Sequence, residues 1–336
     1  MSLINVKVDK RCELMGVLLL ISNYNKEDAD LIEECNNKEY RDKIFSWFNK
    51  FKNEKCVKLL NEIIDKLCFN YDAPIYLIEQ LNEDYTYEKL LDYPFKERLQ
   101  SSKLVIDFLN EIPNFVKKTN FEEFFESNKN FYQTGINQIK NLIKDYNIVG
   151  FLKDFYKTDF KDVNFFINLM HFATHGNYGV NINNNYICNA CLRKSEDGKI
   201  NFIDEKFNTL SLYVHEFSHS IINPLTDKYS DIKLDFFNDI YDKMKRLVYS
   251  SAEVIIDEHI IRGIEIVFSK GLKGGQDFAE EYIKDNIDSG FIYIETVVKS
   301  LENYLKNIDI YKNFEEYFPT ILIDIKKHKQ MKENTF

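Results

Sequence analysis

The chain is poor in the residues that interrupt helices. Among 336 residues there are only 5 prolines and 11 glycines, which argues against a turn-rich β fold and for long helices joined by short connections. The 6 cysteines follow no framework. Cys12, Cys35, Cys56 and Cys68 fall within helical patterns, which excludes a disulfide scaffold. Cys188-Asn189-Ala190-Cys191 lacks both a second pair at zinc-ribbon spacing and the βαβ setting of a redox motif, and reads as two small side chains on a strand. Basic runs with interleaved aromatics are missing too. Lys+Arg 44 against Asp+Glu 54 leaves a net charge of −10, so no nucleic-acid groove is expected. No stretch approaches the length of a transmembrane span. Leu14 to Ile21 follows Lys7, Lys10 and Arg11 in faint imitation of a signal peptide, but Cys12 and Glu13 intrude and no small-residue cleavage site follows. A core helix and a cytoplasmic protein are the expectation.

What is present is a large apolar fraction, 44% hydrophobic with 15% aromatic residues, enough for a full core. Histidine is rare, with 6 in the chain, yet two of them share one pentapeptide. His215-Glu216-Phe217-Ser218-His219 is an H-E-x-x-H motif inside the stretch Thr209 to Pro224. On a helix, residues four apart point the same way, about 40° apart around the axis and roughly 6 Å along it. At that separation two imidazoles can share one zinc ion at about 2.0–2.1 Å each. Glu216 then sits beside the open coordination position and can take a proton from water activated there. Leu210, Leu212, Tyr213, Val214, Phe217, Ile221 and Ile222 make the stretch apolar nearly all round, as in a buried helix. Asn208 or Thr209 is expected to cap it, and Pro224 to end it at Asn223.

The periodicity predicts an α+β, mostly α protein. Residues 1–158 read as a helical region packed on a catalytic part at 159–336. Asp9 caps a first helix, and Pro74 opens a short one. Helices are expected near Phe95–Leu109 and Phe121–Tyr146, with Pro113 breaking between them. Val163–Met170, Tyr178–Ile182, Tyr186–Leu192 and Lys199–Ile203 read as strands, and Asp197-Gly198 as a hairpin turn. Together they predict a small antiparallel sheet before the motif helix. Trp47 is expected in a core or an interface. After Pro224 the chain returns to helices, one of them Lys245–Lys270.

Zinc needs a third protein ligand and a position left for water. Glu253, Glu258, His259, His171 and His175 are the candidates. A metzincin-type extension is excluded, because no histidine follows His219 at six residues. Glu253 lies in an apolar run with Asp257 on the same face one turn later, and a cation would relieve the repulsion of that pair. Glu258 and His259 lie about 140° and 120° away from Glu253 around the axis, and His259 is the best rival.

His215-Glu216-Phe217-Ser218-His219 followed by Glu253 and Asp257 resembles the gluzincin zinc metallopeptidases, the thermolysin-like clan. The resemblance covers about Asp159 to Gly271, with a longer gap from His219 to Glu253 than in thermolysin. It implies that His215, His219 and Glu253 bind one zinc ion, that Glu216 is the general base, and that Asp257 orients His215. Relatives of that clan use a Tyr or His to stabilise the oxyanion. Tyr249, one turn before Glu253 on the predicted helix, is the candidate here, with His171, His175, Tyr178 and Tyr241 as competitors. The Asp9–Met15 segment and Val214–Leu225 are also similar to a bacterial family of gluzincin-like proteins, which adds no substrate.

The expected function is a zinc-dependent metallopeptidase acting on a peptide or protein, with the substrate pairing to a sheet edge such as Tyr186–Leu192. Arg262 could bind a substrate carboxylate, although such an arginine is more often an ion-pair partner. The competing readings are a non-catalytic zinc-stabilised binding or regulatory protein, and a zinc hydrolase of a non-peptide amide.

Overall fold

Two apolar cores separated by one small sheet account for the layout of the chain. The computed structural model describes residues 4–24, 37–67, 69, 72–88, 103–171, 176–192, 200–203, 205–229, 240–246, 249 and 251–333. The first half contains β1 (Asn5–Lys7), α1 (Lys10–Ile21), α2 (Lys38–Phe48), α3 (Lys55–Lys66), α4 (Ala73–Glu79), α5 (Lys103–Thr119), α6 (Phe121–Ser127), α7 (Lys129–Ile143) and α8 (Ile148–Tyr156). The second contains β2 (Asn164–Met170), β3 (Tyr178–Ile182), β4 (Asn185–Cys191), α9 (Lys206–Lys228), α10 (Tyr241–Arg246), α11 (Ala252–Gly271), α12 (Gln276–Ser289), α13 (Ile294–Lys306) and α14 (Phe314–Glu333). The protein is α+β and mostly α. No described helix is long and apolar enough to cross a membrane.

The sheet is mixed, not antiparallel as expected. Its order is β1-β2-β4-β3, with β1–β2 and β2–β4 parallel and β3–β4 antiparallel. Hydrophobic alternation alone does not reveal strand direction, and the partner of β2 on one side comes from far upstream. Phe165, Ile167, Leu169, Cys188 and Ala190 face the core built with α9, α11, α13 and α14. Met170, Ile187 and Cys191 face the core built with α1 to α6. A strand buried on both faces tolerates only satisfied polar groups. Asn168 and Asn189 are opposite each other in register and joined by a 2.6 Å hydrogen bond. Asn168 Oδ1 accepts from the backbone of Asp9, and Asn189 donates to Glu79.

α1 is buried on every side, as a helix without a polar face must be. Asp9 caps it, accepting from the Arg11 backbone at 3.0 Å. Its one acidic residue, Glu13, accepts from Tyr40 Oη and from the His171 backbone. The expected division at 158/159 is crossed by β1, which completes the sheet, and by α8, whose Ile148, Leu152 and Phe155 belong to the core of the later elements.

Proline proves a weaker breaker than the sequence suggests. α5 runs through Pro113 and α9 through Pro224. Each proline forfeits one backbone hydrogen bond, while Ile112, Phe115, Ile222 and Leu225 around them are buried, so packing holds the helices together. α9 starts earlier than expected, capped by Glu205, which accepts from the backbones of Phe207 and Asn208. The helix expected over Lys245–Lys270 begins only at Ala252, with Ser251 as its cap. The segment expected over Phe121–Tyr146 is interrupted at Asn128 into α6 and α7. Residues 200–203 are not a strand, and Asp197-Gly198 lies outside the described residues, as do Phe95 and its neighbours. Trp47 is half-buried and donates its indole N–H to the Thr119 carbonyl.

Candidate metal centre

α9 carries the motif across one face of the sheet. Phe217 packs edge-on against Phe165 of β2. At Gly179, β3 approaches so closely that a Cβ there would lie 1.9 Å from the Glu216 carbonyl oxygen. On its other side α9 packs along α11, antiparallel to it. Ser211 meets Ser269 at 2.7 Å, His215 meets Glu265 at 2.5 Å, and His219 faces Glu258 at 3.8 Å. Two helices that are otherwise apolar thus face each other along matched polar stripes, Ser211-His215-His219 and Glu258-Arg262-Glu265-Ser269.

That register decides the third position. The donor atoms of His215, His219 and Glu258 lie within 4.8 Å of one another, and Glu253 is not in the group. Glu253 stands in the first turn of α11, more than a turn before Glu258. Because the helices are antiparallel, moving back from Glu258 along α11 moves past His219 toward the end of α9. The apolar run around Glu253 therefore gives no reason to place it inside, and it is half-buried. His259 is buried with Nδ1 against the Ile255 carbonyl and its ring on Phe291. His171 lies across the sheet with Glu13, and His175 is outside the described residues.

The role expected of Asp257 falls to Glu265. Its Oε1 accepts from Nδ1 of His215, whereas Asp257 is buried, and Oδ1 has no hydrogen-bond partner among the described residues. Burial pushes the Asp257 carboxyl up to about 8. The orienting carboxylate thus follows the third donor by seven residues, not the four implied by the resemblance. Nothing in the resemblance pointed to Glu265; the polar stripe at spacings of four, three and four on α11 would have.

With Nδ1 of His215 bonded to Glu265 and Nδ1 of His219 to Asn223 at 3.1 Å, both Nε2 atoms turn inward, 3.1 Å apart. Two nitrogens held by one ion at about 2.0–2.1 Å with tetrahedral angles stand roughly 3.3 Å apart. Two facing lone pairs need a cation between them, either a shared proton, for which 3.1 Å is hydrogen-bond distance, or a metal ion. The side chains of His215, His219 and Glu258 keep 11%, 18% and 10% exposure, so the cluster is largely buried yet reachable from solvent. An N/N/O donor set of this kind fits a divalent transition ion such as zinc.

The electrostatics express the same demand. Burial opposes charge on His215, but Glu265, Glu258 and Glu216 outweigh it and raise the imidazole to about 9. Burial, then His215, lowers His219 to about 4. Burial would raise Glu258, but His215, Arg262 and His219 prevail and hold it below the usual carboxylate range. Glu216 is raised to about 7 by burial, against the pull of His215. No hydrogen-bond partner holds its carboxylate among the described residues, although it is only 4% exposed.

Tyr249 is not on α11, as expected, but in the segment before it. Its hydroxyl meets Arg262, not the three donors themselves. Arg262 Nη2 donates to Tyr249 Oη at 3.1 Å and pairs with Glu258 at 3.3 Å. Arg262 is thus an ion-pair partner of Glu258. Cys188 and Cys191, three residues apart on a strand, face opposite cores and cannot act together. Neither they nor Cys12 and Cys56 form a disulfide among the described residues.

A family model described as a domain of unknown function, DUF4932, matches residues 4–324. No curated protein and no solved structure matches the chain.

Proposed function

The chain belongs to the DUF4932 family, and from its own geometry we propose that it is a zinc-dependent peptidase with His215, His219 and Glu258 as the metal ligands. The observation that carries the reading is the pair of inward-facing Nε2 atoms, 3.1 Å apart, with a carboxylate opposite them and Glu216, without a hydrogen-bond partner among the described residues, alongside. A site built only for structure would close its fourth position with another ligand and has no use for that glutamate.

When bound, the ion would supply Lewis acidity, acidifying water toward about pH 7 and polarising a carbonyl. The protein's own residues do the rest. Glu216 takes the proton of the attacking water and returns it to the leaving amine. Glu265 fixes the tautomer of His215 and strengthens it as a ligand. Asn223 does the same for His219. The Tyr249 hydroxyl accepts from Arg262, which leaves its own O–H free to donate to a developing oxyanion.

An extended substrate would pair with β3. Among the described strands β4 lies between β2 and β3, so the Tyr186–Leu192 region is internal and the edge beside Glu216 is Tyr178–Ile182. Backbone pairing there would lay a peptide along the motif helix.

Glu216→Gln tests the reading. The variant is expected to bind zinc in the same 1:1 ratio as the parent and to lose about 10²–10⁴-fold in peptide hydrolysis. Unchanged hydrolysis of a peptide library would remove the peptidase reading. Hydrolysis of non-peptide amides alone would move the substrate class.

A further inference from the structure

We propose that the cleft behind Glu258 is a subsite for a carboxylate of the substrate, with Arg262 as its anchor; this rests on the peptidase reading and adds the substrate's charge to it. The cleft measures about 250 Å³ and is lined by Tyr249, Arg262, Tyr282, Asp285, Asn286, Ser289 and Phe291. Three segments meet there: the stretch before α11, α11 itself, and the end of α12 with the residue after Gly290.

Arg262 is held from several directions. Nη1 donates to Tyr282 Oη at 3.0 Å and Nη2 to Tyr249 Oη at 3.1 Å. The guanidinium lies over the Phe291 ring, 4.5 Å from its centroid. Tyr282 donates in turn to Glu265 at 3.2 Å. A guanidinium pinned in this way loses little freedom when it binds a further acceptor. Its side chain retains 19% exposure, so it is accessible from the cleft.

Among the described residues Arg262 is the one cationic side chain lining the cleft, and it shares its charge with Glu258 at 3.3 Å. Both tyrosines accept a hydrogen bond from Arg262 and Tyr282 passes its own O–H to Glu265, while the Ser289 hydroxyl offers a donor to the cleft. A cation would meet the guanidinium. A neutral carbonyl could bind, but a charge-assisted hydrogen bond is about twice as strong. Asp285 is exposed, so water and salt screen its charge more than that of Arg262. The volume falls below the 300–1,000 Å³ typical of pockets for larger ligands, which suits one residue of a peptide. The carboxylate can belong to the peptide's C-terminus or to an acidic side chain.

Calorimetric titration of the Glu216→Gln protein, with and without zinc, separates these sources. Three N-acetylated tripeptides suffice: one with apolar side chains and a free C-terminal carboxylate, its C-terminal amide, and an amide carrying one glutamate side chain. At least one carboxylate peptide is expected to bind at least ~10-fold more tightly than the neutral amide, and the tighter of the two names the source. The preference should persist without zinc, so failure of the zinc reading leaves it measurable. It should vanish in Arg262→Gln and in Ser289→Leu, which narrows the cleft at its exposed end, away from the metal ligands. Equal binding of all three peptides, or a preference surviving in both variants, overturns the subsite.

Discussion

His215 and His219 are ligand candidates because a helix brings residues four apart to one face, and that much is legible in five letters of sequence. The third donor is not, because it depends on how far one helix slides along another. Glu253 has the better local context, an apolar run with an acidic neighbour a turn away, yet the antiparallel register presents Glu258. Metal content after dialysis should therefore fall in Glu258→Ala and stay at the parent value in Glu253→Ala. Glu265→Gln should keep the metal but weaken it about 10- to 100-fold, the usual cost of removing the partner of a ligating histidine. Asp257→Asn should not show that loss. Competition with a chromogenic chelator measures all four.

At the level of the element, most of the described helices and three of the four described strands could be read from periodicity. What failed was local punctuation. Pro113 and Pro224 lie inside helices, since a lost hydrogen bond is outweighed by the burial of their neighbours. Sheet direction failed for another reason: pattern gives the faces of a strand but not its partners. The contact between β3 and α9 could not be foreseen either, although a glycine inside a strand hints at a close approach. Gly179 supplies it, with the Glu216 carbonyl where a methyl would otherwise be. Gly179→Ala is expected to lower stability by about 1–3 kcal/mol in urea denaturation, and to reduce zinc affinity because the motif helix must move away. A variant with unchanged urea midpoint would show that the strand can yield there at no cost.

Across the molecule, buried carboxylates tie the helical layer to the sheet. Glu79 is raised to about 8 by burial, with Asp9 adding to it and Arg11 opposing. In the unfolded chain it titrates near 4.5. The folded state therefore holds the proton more tightly, and stability falls as pH rises from about 4.5 through about 8. Glu79→Gln should remove that slope, so that above pH 8 the variant exceeds the parent by on the order of a few kcal/mol. Thermal or urea melts at pH 5, 7 and 9 give the comparison. The same layer leans on Met170, Val180, Ile182, Ile187 and Cys191 from the sheet. Residues 1–158 produced alone are accordingly expected to melt without a cooperative transition.

The short opening strand aligns Asn5 with Phe166. On a ribosome adding about 5–20 residues per second, its neighbour is made roughly 8–30 s later. Until then the side of α1 that meets β2 is uncovered, although α2, α3 and α4, which pack on it elsewhere, are already made. Slowing translation between the two strands is expected to increase the fraction of newly made chains lost to aggregation.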